Sequence, residues 1–564
     1  MDTLSYWERV GRNRVSRRAA LRGAGIGAAG LAGAALIGCG AEDDDDGATP
    51  PPGGATPVVT PDDTPDDEIA RGGTLRQGAT GVIAGTDPHN SVYHGAGIVR
   101  QAYLTLFRNE MLRPDLGLIP ELAESHEVSD EVTWTFNLRD NAVIHPNDRG
   151  VPERPMDAED VVASFDRISD PANAGNGFPF FSQWVESYDA PDAQTVRLVT
   201  NRPYGWVESA LGDSLVSAIV PREFLDMGNE ALRETAIGAG PFMVESVTEG
   251  QDFRMARNPA FFDESLPYLD NFRRVIFADQ ASYRTAFATR QVDLFATADY
   301  EEAQELTRQV DGVEHVEHGS TGYNSFWMRT DVEPWSDERV RRAMNLAMNR
   351  DQYIAIIGKG RGEPMGPLAP VFGEYALSQE ELEQLQPFDP QEAADLFQAA
   401  GVTQISFVHP TSATMPDYVN ILVQQLENIG LQVRPEPLDA GTWVAGYFGS
   451  QHEASFSLNQ SYKTPDQALL WYRTGGITGG GQYATGLYSE ALDEVIDDAA
   501  STMDPDERVE AYHEAQRAIF ETDPAFLNVF NVTGNTVFYD DVKGLSPGPG
   551  NMDEVVFRRT WIDS

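Results

Sequence analysis

Along most of the chain, the alternation typical of strands gives way to helical spacing and back again. Val132, Trp134, Phe136 and Leu138 interleave with Thr133, Thr135 and Asn137, which predicts a half-buried strand. Asp157 then stands as an N-cap before Val161, Phe165 and Ile168, which recur at helical spacing. Asp389-Pro390-Gln391-Glu392 combines an N-cap, a first-turn proline and an acidic third position, and Gly401 closes the predicted helix. Val419, Leu422, Val423, Leu426 and Ile429 form one apolar stripe stopped by Gly430, after which Leu431-Gln432-Val433 alternates as a strand. Asp504-Pro505-Asp506-Glu507 repeats the capping pattern before Val509, Tyr512 and Ile519. Single strands between helices predict a mixed α/β protein.

The N-terminal region breaks this pattern. Residues 1–39 hold six arginines against Asp2 and Glu8. Ser16-Arg17-Arg18-Ala19-Ala20-Leu21-Arg22 resembles a twin-arginine export signal, with Arg17 and Arg18 as the pair and Ala20 where a Phe is usual. The uncharged stretch from Gly23 to Gly38 is 16 residues long, short of the ~20 a membrane-spanning helix needs. It ends in Leu36-Ile37-Gly38-Cys39, which looks like a lipobox, and Cys39 is the only cysteine in the chain. A thiol at this place points to lipid attachment, and two acyl chains anchor far more stably than one. Gly25-Ile26-Gly27-Ala28-Ala29-Gly30 matches a dinucleotide-binding pattern, but no strand precedes it and no acidic residue lies about 20 positions on within a βαβ unit. A nicotinamide or flavin site is therefore rejected, and no cofactor is expected.

Charge changes the picture next. Residues 42–70 contain six prolines, eight aspartates and no aromatic residue, so they cannot offset the entropy of ordering and read as an extended tether. The roughly 490 residues beyond it exceed what one core holds, so two or more lobes are expected. Removing a leader of net +4 from a chain of −47 leaves a body near −51. That field makes nucleic acid and anionic membrane surfaces poor partners. Lys359, Lys463 and Lys543 are the only lysines, a composition that fits high salt or a GC-rich genome.

Candidate chemistry is sparse. Gly212-Asp213-Ser214-Leu215 spells the nucleophile motif of one esterase group, but none of the nine histidines has Asp three residues before it. Neither G-x-S-x-G nor H-E-x-x-H occurs, and no cysteine cluster exists for zinc. Ser214 precedes Ile219-Val220-Pro221, which reads as a structural strand. His315 and His318 lie among Glu314 and Glu317 and read as solvated surface. No catalytic or metal-ligating set is expected.

Ordered motifs carry a resemblance. They run from Gly73-Thr74-Leu75 through Asp87-Pro88, Pro120-Glu121-Leu122-Ala123-Glu124-Ser125 and Trp134-Thr135-Phe136-Asn137-Leu138-Arg139. Asp157-Ala158-Glu159-Asp160-Val161-Val162, Gly240-Pro241-Phe242 and Arg257-Asn258-Pro259 follow. The most characteristic is Asp337-Glu338-Arg339-Val340-Arg341-Arg342-Ala343-Met344-Asn345, with Ala347 and Asn349-Arg350 behind it. In this order they resemble family 5 of the extracytoplasmic solute-binding proteins, the oligopeptide-, dipeptide- and nickel-binding group.

The resemblance implies a two-lobed, class II periplasmic-binding-protein-like α/β fold with an extra domain inserted in the first lobe. The expected division is 1–39 signal peptide, 40–71 tether, 72–113 with 236–324 and 541–564 as lobe 1, 114–235 as the insertion, and 325–540 as lobe 2. It implies hinge closure around a solute, delivery to ABC permease subunits, a monomer, and a place on the outer face of the cytoplasmic membrane. A secreted hydrolase and a ligand sensor of the same fold are the competing classes. The implied ligand-binding residues are Tyr93 and His94 at the cleft edge, and Phe180, Phe181 and Trp184 reaching the hinge. Trp443 and the segment Asn459-Gln460-Ser461-Tyr462 would line the second lobe. Peptide-binding members place an aspartate before the Tyr-x-x-Pro segment to pair with the peptide's α-ammonium. Here that position is Ser461, with Lys463 nearby and Asp466 or Glu453 as possible substitutes.

Overall fold

The computed structural model describes residues 69–80, 85–89, 100–109, 118–173, 175, 177–248, 250–320, 322–412, 415–448, 451–456, 460–461, 464–474, 489–522, 525–545, 547 and 556–563. The twin-arginine pair Arg17 and Arg18, Cys39 and the tether to 68 lie outside them, as do Tyr93, His94, Asn459 and Tyr462.

Three sheets organise the body. The first runs in the spatial order Val313–His318, Gly534–Tyr539, Leu294–Thr297, Thr74–Thr80, Asn271–Phe277, Asp252–Arg257, Phe242–Thr248. Thr74–Thr80 lies parallel to Asn271–Phe277, in register from Thr74↔Asn271 to Thr80↔Phe277. The second runs Glu363–Pro364, Phe526–Asn531, Gly322–Met328, Ala454–Phe456, Gln404–Pro410, Gln432–Leu438, with Gln460–Ser461 paired to Gly322–Met328 off that path. A smaller antiparallel sheet runs Ala123–Ser129, Thr133–Leu138, Thr195–Thr200, Val185–Asp192.

Local chemistry explains the elements. Trp134, Phe136 and Leu138 are buried on one side of Thr133–Leu138, as the alternation requires. The Asp157 carboxylate accepts from the backbone N–H groups of Glu159 and Asp160, and Asp160 returns a bond to the Asp157 N–H, closing a capping box on Ala158–Ser169. Asp389 and Asp504 cap Pro390–Ala399 and Pro505–Glu521 by accepting from the backbone N–H groups two and three residues on. Val419, Leu422 and Leu426 are buried on Met415–Asn428, and Gly430 beyond it takes the left-handed φ of 95° that a side chain disfavours.

Three expectations are corrected. Gly534–Tyr539 lies inside the 325–540 range expected of lobe 2, yet it hydrogen-bonds to Leu294–Thr297 and Val313–His318 in the first sheet. Ile219 makes only an isolated bridge to Leu104, because Ser214–Ser217 turns helical just before it. His315 and His318 are half-buried on a paired strand rather than solvated. His315 bonds Gln304 and Asn535, and burial pushes His318 below its ordinary pKa. Among the described residues no helix is long and apolar enough to cross a membrane.

Candidate functional site

The chain passes between the two large sheets twice, at neighbouring places. It leaves the first sheet after His318 and enters the second at Gly322; it returns between Asn531 and Gly534. Asn531 donates its side-chain amide to the carbonyls of Ser320, at 2.6 Å, and Gly322, at 3.3 Å, so one crossing is tied to the other. The His318 ring lies against Gly534, where a Cβ would sit 2.3 Å from the imidazole Cε1, so a side chain there would have to displace the ring. Arg361 braces the same corner, reaching Glu317 at 2.6 Å and lying 3.3 Å over the Tyr300 ring.

On the second sheet the two strand faces have separate fates. Phe326 and Met328 join the core beneath the helices Glu338–Ala347, Pro390–Ala399 and Met415–Asn428. Trp327, of opposite parity, joins the cluster that continues into the first lobe, with Trp443, Tyr447, Tyr472 and Phe526. Asn528 shares that side through bonds to the Tyr472 hydroxyl at 3.2 Å and the Gly366 carbonyl at 2.6 Å. Among the described residues the Trp327 Nε1 and Asn528 Oδ1 atoms on this side are buried without a hydrogen-bond partner. Trp443 is itself buried: its ring stacks on Tyr447 at 4.9 Å and its Nε1 donates to Ser455 Oγ at 2.9 Å. Ser461 pairs through its backbone with Gly322, so the segment singled out in the sequence runs beside a crossing strand.

Motif residues tie distant parts of the chain together around Asp87 and Glu121. Arg167, on the helix Ala158–Ser169, grips the Asp87 carboxylate at 2.6 and 3.1 Å and donates to His89 Nδ1 at 2.7 Å. His89 therefore carries its proton on Nε2, which donates to the Ala218 carbonyl at 2.8 Å. Burial, with Arg167 beside it, lowers the His89 pKa to about 4, so it stays neutral. Glu121 is equally committed, to Thr105 and to Arg558 at 2.5 Å.

Phe180, Phe181 and Trp184 are buried on the short helix Phe178–Trp184. Phe181 packs on Phe165 and Tyr188; Phe180 and Trp184 pack on Tyr204, the latter at 4.2 Å. These rings back Tyr204, which reaches Asp466 and not the crossings. Tyr204 donates to Asp466 Oδ2 at 2.6 Å, and Trp206 donates to the Tyr512 hydroxyl at 2.8 Å. Burial raises the Asp466 carboxyl to about 6, against the lowering effect of the Tyr204 bond. Glu453, the other substitute carboxylate, is exposed. The Tyr204–Asp466 pair could not be read from sequence, because an acidic residue two places after Thr464 looks like ordinary first-turn helix chemistry.

Asp213 caps the helix Ser214–Ser217 by accepting from the Leu215 N–H, which accounts for the Gly-Asp-Ser-Leu run. No group of His, Cys, Asp or Glu able to hold a metal occurs among the described residues.

Residues 117–480 match the model of the bacterial extracellular solute-binding proteins, family 5, middle region. The chain belongs to that family. As a family 5 solute-binding protein it is similar to di/tripeptide-binding protein 2 of Pseudomonas aeruginosa, 27% identical over 431 residues, covering 72% of this chain and 80% of the relative. Its fold is that of the periplasmic binding protein DppA from Helicobacter pylori, solved with the peptide STSA, with a TM-score of 0.76 at 19% identity over 88% of this chain and 99% of that one. AgaA of A. tumefaciens R10, solved with agropinic acid, superposes with a TM-score of 0.75 at 21% identity, covering 87% and 99%. The two-lobed periplasmic-binding-protein architecture expected from the motifs is therefore the one this family 5 chain adopts.

Proposed function

We propose that this protein is the substrate-binding lipoprotein of an ABC importer, exported by the twin-arginine route, anchored through Cys39 and tethered by residues 40–71. It captures a solute by closing its lobes about the paired crossings and presents the closed form to membrane permease subunits. The observation that carries this reading is the pair of adjacent crossings braced by Asn531, with buried, unpartnered polar atoms on the second sheet's inner side. It acts as a binding protein and not as an enzyme.

The solute is peptide-like or of similar size, in line with the di/tripeptide, the peptide STSA and the agropinic acid of the similar proteins. Within that range we favour one without a free α-ammonium, because Ser461 offers no charge to neutralise a desolvated cation. Tyr93, His94, Trp443, Asn459, Ser461 and Tyr462 remain the proposed lining. Phe180, Phe181 and Trp184 support the inserted domain's contact with the second lobe. Deletion of the gene tests the role: loss of uptake of one solute supports transport, and intact uptake with a lost transcriptional response supports a sensor.

A further inference from the structure

Resting on the reading that the lobes close, we infer that the inserted domain is the latch of the closed state, and that Tyr204-Gly205-Trp206 is its tongue. Three consecutive residues of the insertion are each held by the second lobe. The Tyr204 hydroxyl donates to Asp466 Oδ2 at 2.6 Å. The Gly205 N–H donates to the Ala500 carbonyl at 2.8 Å, and its carbonyl accepts from Arg508 Nη1 at 2.6 Å. The Trp206 Nε1 donates to Tyr512 at 2.8 Å while Arg508 lies 4.7 Å over its ring. Arg202 pairs with Asp497 at 2.7 Å at the same seam. Tyr204, the Gly205 backbone and the Trp206 ring N–H find their hydrogen-bond partners across the seam, while Asp497 also pairs with Arg473 and Arg508 with the Thr502 carbonyl on the far side.

Gly205 gives the latch its signature. A Cβ there would stand 1.9 Å from Arg508 Nη1 and 2.7 Å from the Thr502 carbonyl oxygen. The guanidinium could swing away, but the backbone carbonyl of Thr502 could not. Gly205 has no left-handed φ, so a side chain costs nothing in a conformation where the seam is apart. Substitution at Gly205 therefore penalises the latched state alone. The aromatic stack of Trp184 on Tyr204, with Arg202 4.2 Å above Trp184, holds the tongue rigid from within the insertion.

The test places spin labels at the exposed positions Glu186→Cys and Glu514→Cys in the full chain carrying Cys39→Ser, and measures their distance distribution. Gly205→Val should lower the latched-to-open ratio by more than about tenfold, and Tyr204→Phe, which keeps the ring, by about tenfold. Amide exchange at Gly205 should rise in both. If the wild type is latched and Gly205→Val keeps its distance distribution and its slow exchange, the latch is excluded. A wild type with a fast-exchanging Gly205 amide and only the long distance excludes it as well. If Gly205→Val does not fold, Tyr204→Phe alone decides by the same two readouts. Each protein is measured alone and with a free tripeptide, an N-acetylated tripeptide and maltotriose. A Gly205→Val shift with no wild-type response to any solute would keep the latch and count against ligand-driven closure.

Discussion

Asn531 holds Ser320 across the two chain crossings, its amide 2.6 Å from the Ser320 carbonyl. Asn531→Leu fills similar space but strands that carbonyl and the Gly322 carbonyl, which it meets at 3.3 Å. A buried carbonyl left unsatisfied costs about 1–3 kcal/mol. Denaturant unfolding should show that loss in the midpoint with little change in slope, whereas Asn531→Asp keeps only the acceptor atoms and should be at least as damaging.

Much of the fold was legible because its signals are local. Asp157, Asp389 and Asp504 cap helices through bonds spanning two or three residues, so their roles lie in adjacent letters. Trp134, Phe136 and Leu138 declare a buried face by parity alone. The aromatic site residues were not legible in this sense. Phe181 has the aromatic character of a ligand wall, yet its ring packs on Phe165 and Tyr188. Asp466 meets Tyr204 across 262 positions of sequence, a pairing no periodicity encodes.

Asp466 should make stability depend on pH in one direction. Its carboxyl titrates at about 6 in the folded protein, above its ordinary 3.8, chiefly because burial disfavours the anion. Tyr204, Tyr512, Asp497 and Arg473 are the other groups that act on it, and Arg508 acts on the two phenols. A raised acid leaves the fold unpenalised below the unfolded value and costs it stability as pH rises through about 6. The full penalty above that is on the order of 3 kcal/mol. Asp466→Asn should remove it, so the stability difference between mutant and wild type should grow from pH 4 to pH 7. A difference that stays flat over that range would mean Asp466 titrates normally.

Anchoring rests on one residue. Cys39→Ala should leave the leader unprocessed or release the body from the membrane, and fractionation with mass measurement distinguishes these from the lipidated form. Arg17→Lys with Arg18→Lys should stop secretion of a twin-arginine substrate. Mature-size protein in the membrane fraction of the Cys39→Ala strain would refute lipid attachment.

Ser461 makes the sharpest claim about the solute. Its backbone pairs with Gly322 beside the crossing, so the position adjoins the place where the lobes meet. A serine hydroxyl accepts a hydrogen bond but cannot neutralise an ammonium that closure strips of water, and an unpaired buried charge is strongly unfavourable. Asp466 does not supply the missing charge as the structure stands, because its carboxyl group is buried and Tyr204 occupies Oδ2. Glu453 is exposed and has no such desolvated position. Calorimetry should therefore find free di- to pentapeptides weak, and N-acetylated peptides or neutral oligosaccharides of equal size no weaker. Ser461→Asp should reverse that order, with free peptides gaining at least tenfold over their acetylated forms. Submicromolar binding of a free peptide by the wild type, abolished by N-acetylation, would place a carboxylate in the cleft that this reading does not contain.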